Sequence, residues 1–332
     1  MTIQSLFNSR AEYSQIRLNQ LQDRLRDLPE LDGFPNLSVI GVGSYGRLEA
    51  SQYSDIDLFF LIDGGREDVT EPRTRSLRMF GKIIDVVEEM RFPKLSNDCQ
   101  YLKLLHSDDI LEKLGSPTDD HENYFTARML LLLEGRCLYG LDKFKAIVSK
   151  VIASYFRDYP DHPQTFQPIF LLNDICRFWK TMLLNYEHKR NVSPDTTDEV
   201  KKVRQKVRNF KLKYSRLTTC FASIAALGSY QAPVTEEHVF ALTEMSPRER
   251  LQSIPTRIPQ VAAAVDEVLN EYEWFLEKTG LTIDQIEGHF VDREKRKEMF
   301  RKANGYGDKM FNLLLEIDKA DPKHSFLRYV VM

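Results

Sequence analysis

The chain has 332 residues, 42% hydrophobic and 29% charged, which is the composition of a soluble globular protein with one large or two ordinary domains. The net charge of −3 excludes a globally basic nucleic-acid binder, so any nucleic-acid surface must be local. Cys99, Cys137, Cys176 and Cys220 are far apart and form no CxxC pair, which argues against a zinc site or a disulfide framework and suits a reducing cytoplasm. The opening MTIQSLFNSRAEY lacks the apolar core of a signal peptide. The longest apolar run, near Met129 to Leu133, is too short to span a bilayer, so no membrane partner is expected.

Ile3 to Leu28 places Leu6, Ile16, Leu18, Leu21, Leu25 and Leu28 among charges, the pattern of an amphipathic helix. Pro29 and Asp32-Gly33 stop it. Leu37 to Val42 is a run of β-formers that leads into Gly43-Ser44, where a short helix is expected to start. Asp55-Ile56-Asp57 then opens a second apolar run, Leu58 to Ile62. Side chains alternate along a strand, so Asp55 and Asp57 share one face while Ile56 and Leu58 enter a core. Two carboxylates on one face make a hard, oxygen-rich site of the kind Mg²⁺ takes together with substrate phosphates. The Gly43-Ser44 backbone amides and the Ser44 hydroxyl suit phosphate oxygens. An isolated Asp-x-Asp is usually a solvated strand end and an isolated Gly-Ser a turn; the two together between apolar strands favour a site.

This stretch resembles the nucleotidyltransferase superfamily with the DNA polymerase beta-like fold. Gly43-Ser44-Tyr45-Gly46-Arg47-Leu48-Glu49 and Tyr53-Ser54-Asp55-Ile56-Asp57-Leu58 are most similar to the bacterial protein-uridylyltransferase branch, which includes nucleotidyltransferases of unassigned substrate. A weaker likeness runs on to Gly140. The resemblance implies two Mg²⁺ ions, with Mn²⁺ as the alternative, held by Asp55, Asp57 and a third carboxylate from a neighbouring strand. It also implies in-line transfer of a nucleotidyl group from an NTP, with pyrophosphate released.

The third carboxylate depends on how Arg66 to Phe92 folds. Leu77, Phe80, Ile84 and Val87 follow a helical period, which favours one helix ended before Pro93. The third strand is then Cys99 to His106 and the third carboxylate is Asp98. If Ile83 to Val87 is the strand instead, Asp85 is the alternate. Ser107 is expected to cap a helix from Asp108 to Leu114, and residues 116–120 to form a loop. Tyr124 to Glu134 is a nearly all-apolar helix whose Arg128 needs a partner, such as Asp119 or Asp120, and a structural role is favoured for it. Gly135 ends that helix, and Leu138-Tyr139-Gly140 closes the first domain.

Beyond Leu141 the strand signals fade. The expected architecture is an α+β nucleotidyltransferase domain at residues 1–140, with a small mixed sheet, followed by an all-α domain at residues 141–332. Helices are expected around Leu172 to Tyr186, Val203 to Leu227, Val261 to Lys278, Gln285 to Lys302 and Asp308 to Ile317. Lys201 to Arg216 carries eight Lys/Arg and no acid in sixteen residues. Arg204, Arg208 and Lys211 lie on one flank; Lys202, Lys206, Lys213 and Arg216 lie on the other. Like charges four residues apart destabilise an isolated helix, so a partner anion is expected, and Arg204, Arg208, Lys211 and Lys213 are candidates for contacting nucleotide phosphates. The bland alternative is a solvated face balanced by acids elsewhere.

No motif reads the base. The acceptor hydroxyl belongs to a protein, on the resemblance, or to an RNA end, on the basic helix. A second-messenger synthase and a non-catalytic nucleotide-sensing module are the alternatives.

Overall fold

The computed structural model describes residues 4–65, 73–93, 102–191, 199–321 and 325–331. The chain forms two compact units, Phe7–Arg157 and a second that takes Asp158 onward together with the residues before Phe7. The first compact unit runs past Gly140 to include a further helix, Leu141–Ser154.

The first unit is organised around a mixed sheet. The strands are β1 (Leu37–Val42), β2 (Asp57–Ile62), β3 (Leu104–His106) and β4 (Arg136–Tyr139), in the order β3-β2-β1-β4 among the described residues. β1 pairs antiparallel with β2 and β4, and β2 pairs parallel with β3. The helices are α1 (Gln4–Arg26), α2 (Gly43–Gly46), α3 (Arg73–Glu89), α4 (Ser107–Glu112), α5 (Pro117–His121), α6 (Tyr124–Glu134) and α7 (Leu141–Ser154). One sheet face supplies Val39, Leu58, Phe60 and Ile62 to a core shared with Leu18, Leu21 and Leu25 of α1 and Met79, Phe80, Ile83 and Val87 of α3. α6 and α7 pack on β1, and α4 on β3. The sheet is therefore closed by helices, and burial of these apolar faces is its main driving force.

The long helical period wins over the β-rich Ile83–Val87 stretch: α3 carries Ile83, Val86 and Val87 to the core and leaves Asp85 outside. Of the expected third strand, Leu104–His106 is strand, and Cys99 to Tyr101 lie outside the described residues. Two local expectations are corrected. Ser107 does not cap α4; its hydroxyl accepts the Gly64 amide at 2.9 Å, and His106 occupies the cap position. Residues 117–121 form α5 rather than loop, because Pro117 suits a first helical turn and Arg128 holds Asp119 from α6. β4 was not anticipated; four residues at a sheet edge carry no period that a sequence reading could detect.

The second unit is helical. It contains α8 (Ile169–Asn191), α9 (Glu199–Lys211), α10 (Leu217–Gly228), α11 (Glu236–Glu244), α12 (Pro247–Ser253), α13 (Ala262–Thr279), α14 (Ile283–Val291), α15 (Arg293–Ala320) and α16 (Phe326–Val331). A π-helical turn, Leu212–Arg216, joins α9 to α10. Tyr214 within that turn stacks on Phe275 and Tyr306, with ring centroids 4.7 and 4.6 Å away. The single helix expected over Gln285 to Lys302 is two. Asp292 breaks it, its carboxylate accepting the Lys295 amide at 2.8 Å as a helix cap.

Candidate functional site

The site is the corner where β1 ends and β2 begins. Val42 pairs with Asp57 across the antiparallel ladder, so the residue after Val42 arrives beside the Asp57 carboxylate. That residue is Gly43, with φ at +70°, a conformation that side chains oppose. A Cβ there would collide with Asp57 Oδ2, so glycine is needed twice over, for the backbone turn and for the close approach.

The turn that follows, α2, has a buried side and an open side. Tyr45 is buried and meets Phe92 edge to face at 5.4 Å. Burial, with the neighbouring Tyr13 hydroxyl, pushes the Tyr45 phenol well above its ordinary pKa, so it stays neutral. Ser44, its neighbour in the chain, is half-buried. The loop back to β2 is ordered by its own serines. Ser51 donates its amide to Ser54 Oγ at 3.0 Å, and the Ser54 amide returns to Ser51 O at 2.9 Å. Ile56 is fully buried, whereas Asp55, Asp57 and Phe59 are half-buried, so burial alternates as expected; the strand itself begins only at Asp57, and Asp55 and Ile56 belong to the loop before it.

A group of buried charges lies under α2. Glu134, the last residue of α6, has a fully buried side chain. Its Oε1 accepts the Gly43 amide at 3.2 Å and its Oε2 accepts Arg47 Nη1 at 2.7 Å. Arg47 Nε donates to Glu49 Oε2 at 2.8 Å, with both side chains under a tenth exposed. Arg136 Nε donates to the Gly46 carbonyl at 3.1 Å. The Gly46 backbone lies against the Glu134 carbonyl so closely that no Cβ fits between them. The Gly43 amide, expected to face phosphate, is thus committed to Glu134. Glu134, Arg47, Glu49 and Arg136 were given no role in the sequence reading. Their signals were slight: Arg-x-Glu directly after the Gly-Ser turn, and a carboxylate closing an otherwise apolar helix.

Gly43 and Asp57 are therefore brought together at one corner, with Ser44 next to Gly43 in the chain and Asp55 two residues before Asp57. Asp85 sits on the exposed face of α3, 3.2 Å from Lys82, with both side chains about half exposed. Asp98 lies outside the described residues. Among the described residues no group of three or more His, Cys, Asp or Glu is arranged for a metal. Asp57 opens β2 beside the side-chain-free face of Gly43, and Asp55 lies two residues before it; carboxylate oxygens are the donor type that a hard divalent cation takes together with phosphate oxygens and water.

The basic residues belong to the second unit. Arg204 and Arg208 are exposed on α9, Lys211 is its last residue, and Lys213 lies in the π turn. Arg204 Nε donates to Glu287 of α14 at 2.9 Å, Lys213 Nζ to Asn304 of α15 at 2.7 Å, and Lys202 Nζ to Glu199 at 3.0 Å. Burial, then the nearby Arg296, lowers the Lys206 pKa.

Residues 18–114 match the model of the nucleotidyltransferase domain family. The matched segment contains Gly43, Ser44, Asp55 and Asp57, and ends before α6. No curated protein and no solved structure matched the chain. No described helix is long and apolar enough to cross a membrane.

Proposed function

From a nucleotidyltransferase domain at residues 18–114, we propose that the chain moves an NMP group from an NTP to a hydroxyl on a protein or RNA. The observation that carries this reading is the approach of the Asp57 carboxylate, at the first residue of β2, to the side-chain-free face of Gly43, with Asp55 two residues earlier in the loop that leads into the strand. Asp55 and Asp57 would hold Mg²⁺, with Mn²⁺ as a substitute. When bound, the metal neutralises phosphate charge and acidifies the acceptor hydroxyl. Ser44, on the open side of α2, offers its hydroxyl to the β- and γ-phosphates. The acceptor oxygen attacks the α-phosphorus, and the bond to pyrophosphate breaks. No side chain becomes covalently modified. The third carboxylate remains Asp98 on this reading.

The α9 cations favour an RNA acceptor among the two, through contacts to backbone phosphates, with a protein hydroxyl as the alternative. The test incubates the full chain with each α-³²P-labelled NTP, Mg²⁺ and cell extract. Label should pass to a macromolecule with one NTP, and ribonuclease or protease should release it according to the acceptor. Label appearing only in short oligonucleotides points to a messenger synthase. Tight NTP binding with no transfer of label to any product points to a nucleotide sensor, and either result overturns the reading.

A further inference from the structure

Glu134 occupies an unfavourable position for a purely local purpose. A carboxylate at the C-terminal end of a helix faces the negative end of the helix dipole, and a buried charge is costly unless paired. Gln or Leu would extend α6 without either penalty. A local rule broken in this way calls for a compensating gain elsewhere.

The geometry points to a positioning role: we propose that Glu134, assisted by Arg136, fixes the pose of the Gly43–Gly46 turn for the triphosphate. This rests on the nucleotidyltransferase reading above. The α6–β4 junction grips the turn at both ends. Glu134 Oε1 takes the Gly43 amide, and Arg136 Nε takes the Gly46 carbonyl. Between those two bonds the Glu134 carbonyl rests directly on Gly46. Arg47 holds the second Glu134 oxygen, which keeps the carboxylate aimed at Gly43. Ser44 lies between the gripped ends, so its hydroxyl is placed by residues 134–136, which fall outside the matched 18–114 segment. Glu134 is not a third metal ligand: its side chain is fully buried and both of its oxygens are already engaged.

The test uses the full chain with Mg²⁺ and titrates α,β-methylene analogues of ATP, GTP, CTP and UTP beside the matching monophosphates. The turn serves the β- and γ-phosphates, which a monophosphate lacks. Glu134→Gln replaces one acceptor oxygen with an NH₂ group that can accept from neither Gly43 nor Arg47. It should weaken the preferred triphosphate analogue about tenfold or more, the scale of a lost charged hydrogen bond, with monophosphate affinity within about twofold. Arg136→Leu, at a half-buried position, should act in the same direction by about threefold, and it carries the test if Glu134→Gln does not fold. Equal losses for triphosphate and monophosphate, or no loss for either, overturn the positioning role. Wild-type binding that Asp55→Asn and Asp57→Asn abolish, but Glu134→Gln leaves intact, keeps the nucleotidyltransferase reading and removes only this proposal. No Mg²⁺-dependent binding by the wild type removes both.

Discussion

Two buried guanidiniums in the first unit show how the same chemistry serves different ends. Arg128 places two nitrogens on Asp119, at 2.8 and 3.1 Å, and gives its remaining bonds to the Ile110 carbonyl and the Tyr155 hydroxyl. Those partners come from α4, α5 and the end of α7, so Arg128 ties helices together. Burial works against its charge, but Asp119 and Tyr155 together more than offset this and raise its pKa. Arg47 instead bridges Glu49 and Glu134, and Glu134 passes the restraint on to the Gly43 amide. One network ends in packing; the other ends at the Gly-Ser turn beside Asp57. A buried ion pair alone is weak evidence of function or of stability. What it touches next decides its role.

The comparison is broken most completely at the carboxylates themselves. Asp55→Ala or Asp57→Ala should lower nucleotidyl transfer by about 10³-fold or more, roughly 4 kcal/mol of transition-state stabilisation. The fold should survive, since both side chains are only half-buried. Without metal the two like charges repel, so Asp→Asn should leave thermal stability equal or higher. Wild-type turnover in the double variant would remove the catalytic reading.

The Arg128 network should respond in stability instead. Arg128→Met strands a fully buried Asp119 carboxylate and should cost about 3–5 kcal/mol in urea unfolding. Adding Asp119→Leu should recover much of that loss, because an apolar pair needs no desolvation. NTP affinity of the folded fraction should not move. A loss below about 1 kcal/mol would mean that water reaches the site and screens the pair.

Glycine sharpens the contrast further. Gly43→Ala forces a side chain into a left-handed conformation and against the Asp57 carboxylate, and should cost about 1–3 kcal/mol as well as weakening NTP binding. Gly81→Ala is the control. Gly81 lies within α3 with nothing within 4 Å of the added carbon, so alanine should stabilise the chain by about 0.5–1 kcal/mol. If both substitutions behave alike in chemical denaturation, the collision at Gly43 is relieved by movement of Asp57.

The sequence revealed those parts of the fold that have a period or a local rule. β1, the Gly43 turn, the Asp57 strand, α3 and α6 fall where alternation, helical spacing and Gly135 put them. Asp57 was legible as the residue that opens the second apolar run, but the shared strand face expected for Asp55 and Asp57 was not realised, because β2 begins only at Asp57 and leaves Asp55 in the preceding loop. Glu134 was not legible, because its partners Gly43 and Arg47 are 91 and 87 residues away and only the tertiary fold joins them. β4 and α5 were missed for a related reason: each is four or five residues long and is held by its neighbours rather than by propensity. The split between α14 and α15 was readable in principle, since Asp is a favoured N-cap residue and Asp292 stands at the break, but the surrounding charge concealed it.

The smallest expected effect concerns α9, where the contrast is between charges already satisfied and charges left for a ligand. Arg204 is paired with Glu287 and Lys202 with Glu199, so part of the run is neutralised inside its own unit. Lys213 donates to the neutral Asn304, which leaves its positive charge uncancelled by that bond. Lys206 lies near Arg296, and its lowered pKa records burial first and that repulsion second. Reversal at Lys206 and Lys213 should therefore change stability by no more than about 0.5 kcal/mol, within the range for surface substitutions. Relief of the Lys206–Arg296 repulsion should partly compensate for the missing positive charge. If these cations serve a nucleotide, the double reversal to Glu should raise the NTP KM several-fold with little change in RNA affinity. If they serve RNA, affinity for a single-stranded oligonucleotide should fall. Its salt dependence should then flatten by about one unit of log-log slope for each phosphate that is no longer neutralised. If neither quantity moves, the bonds to Glu287, Asn304 and Glu199 account for the helix, and α9 is a solvated face balanced within its own unit.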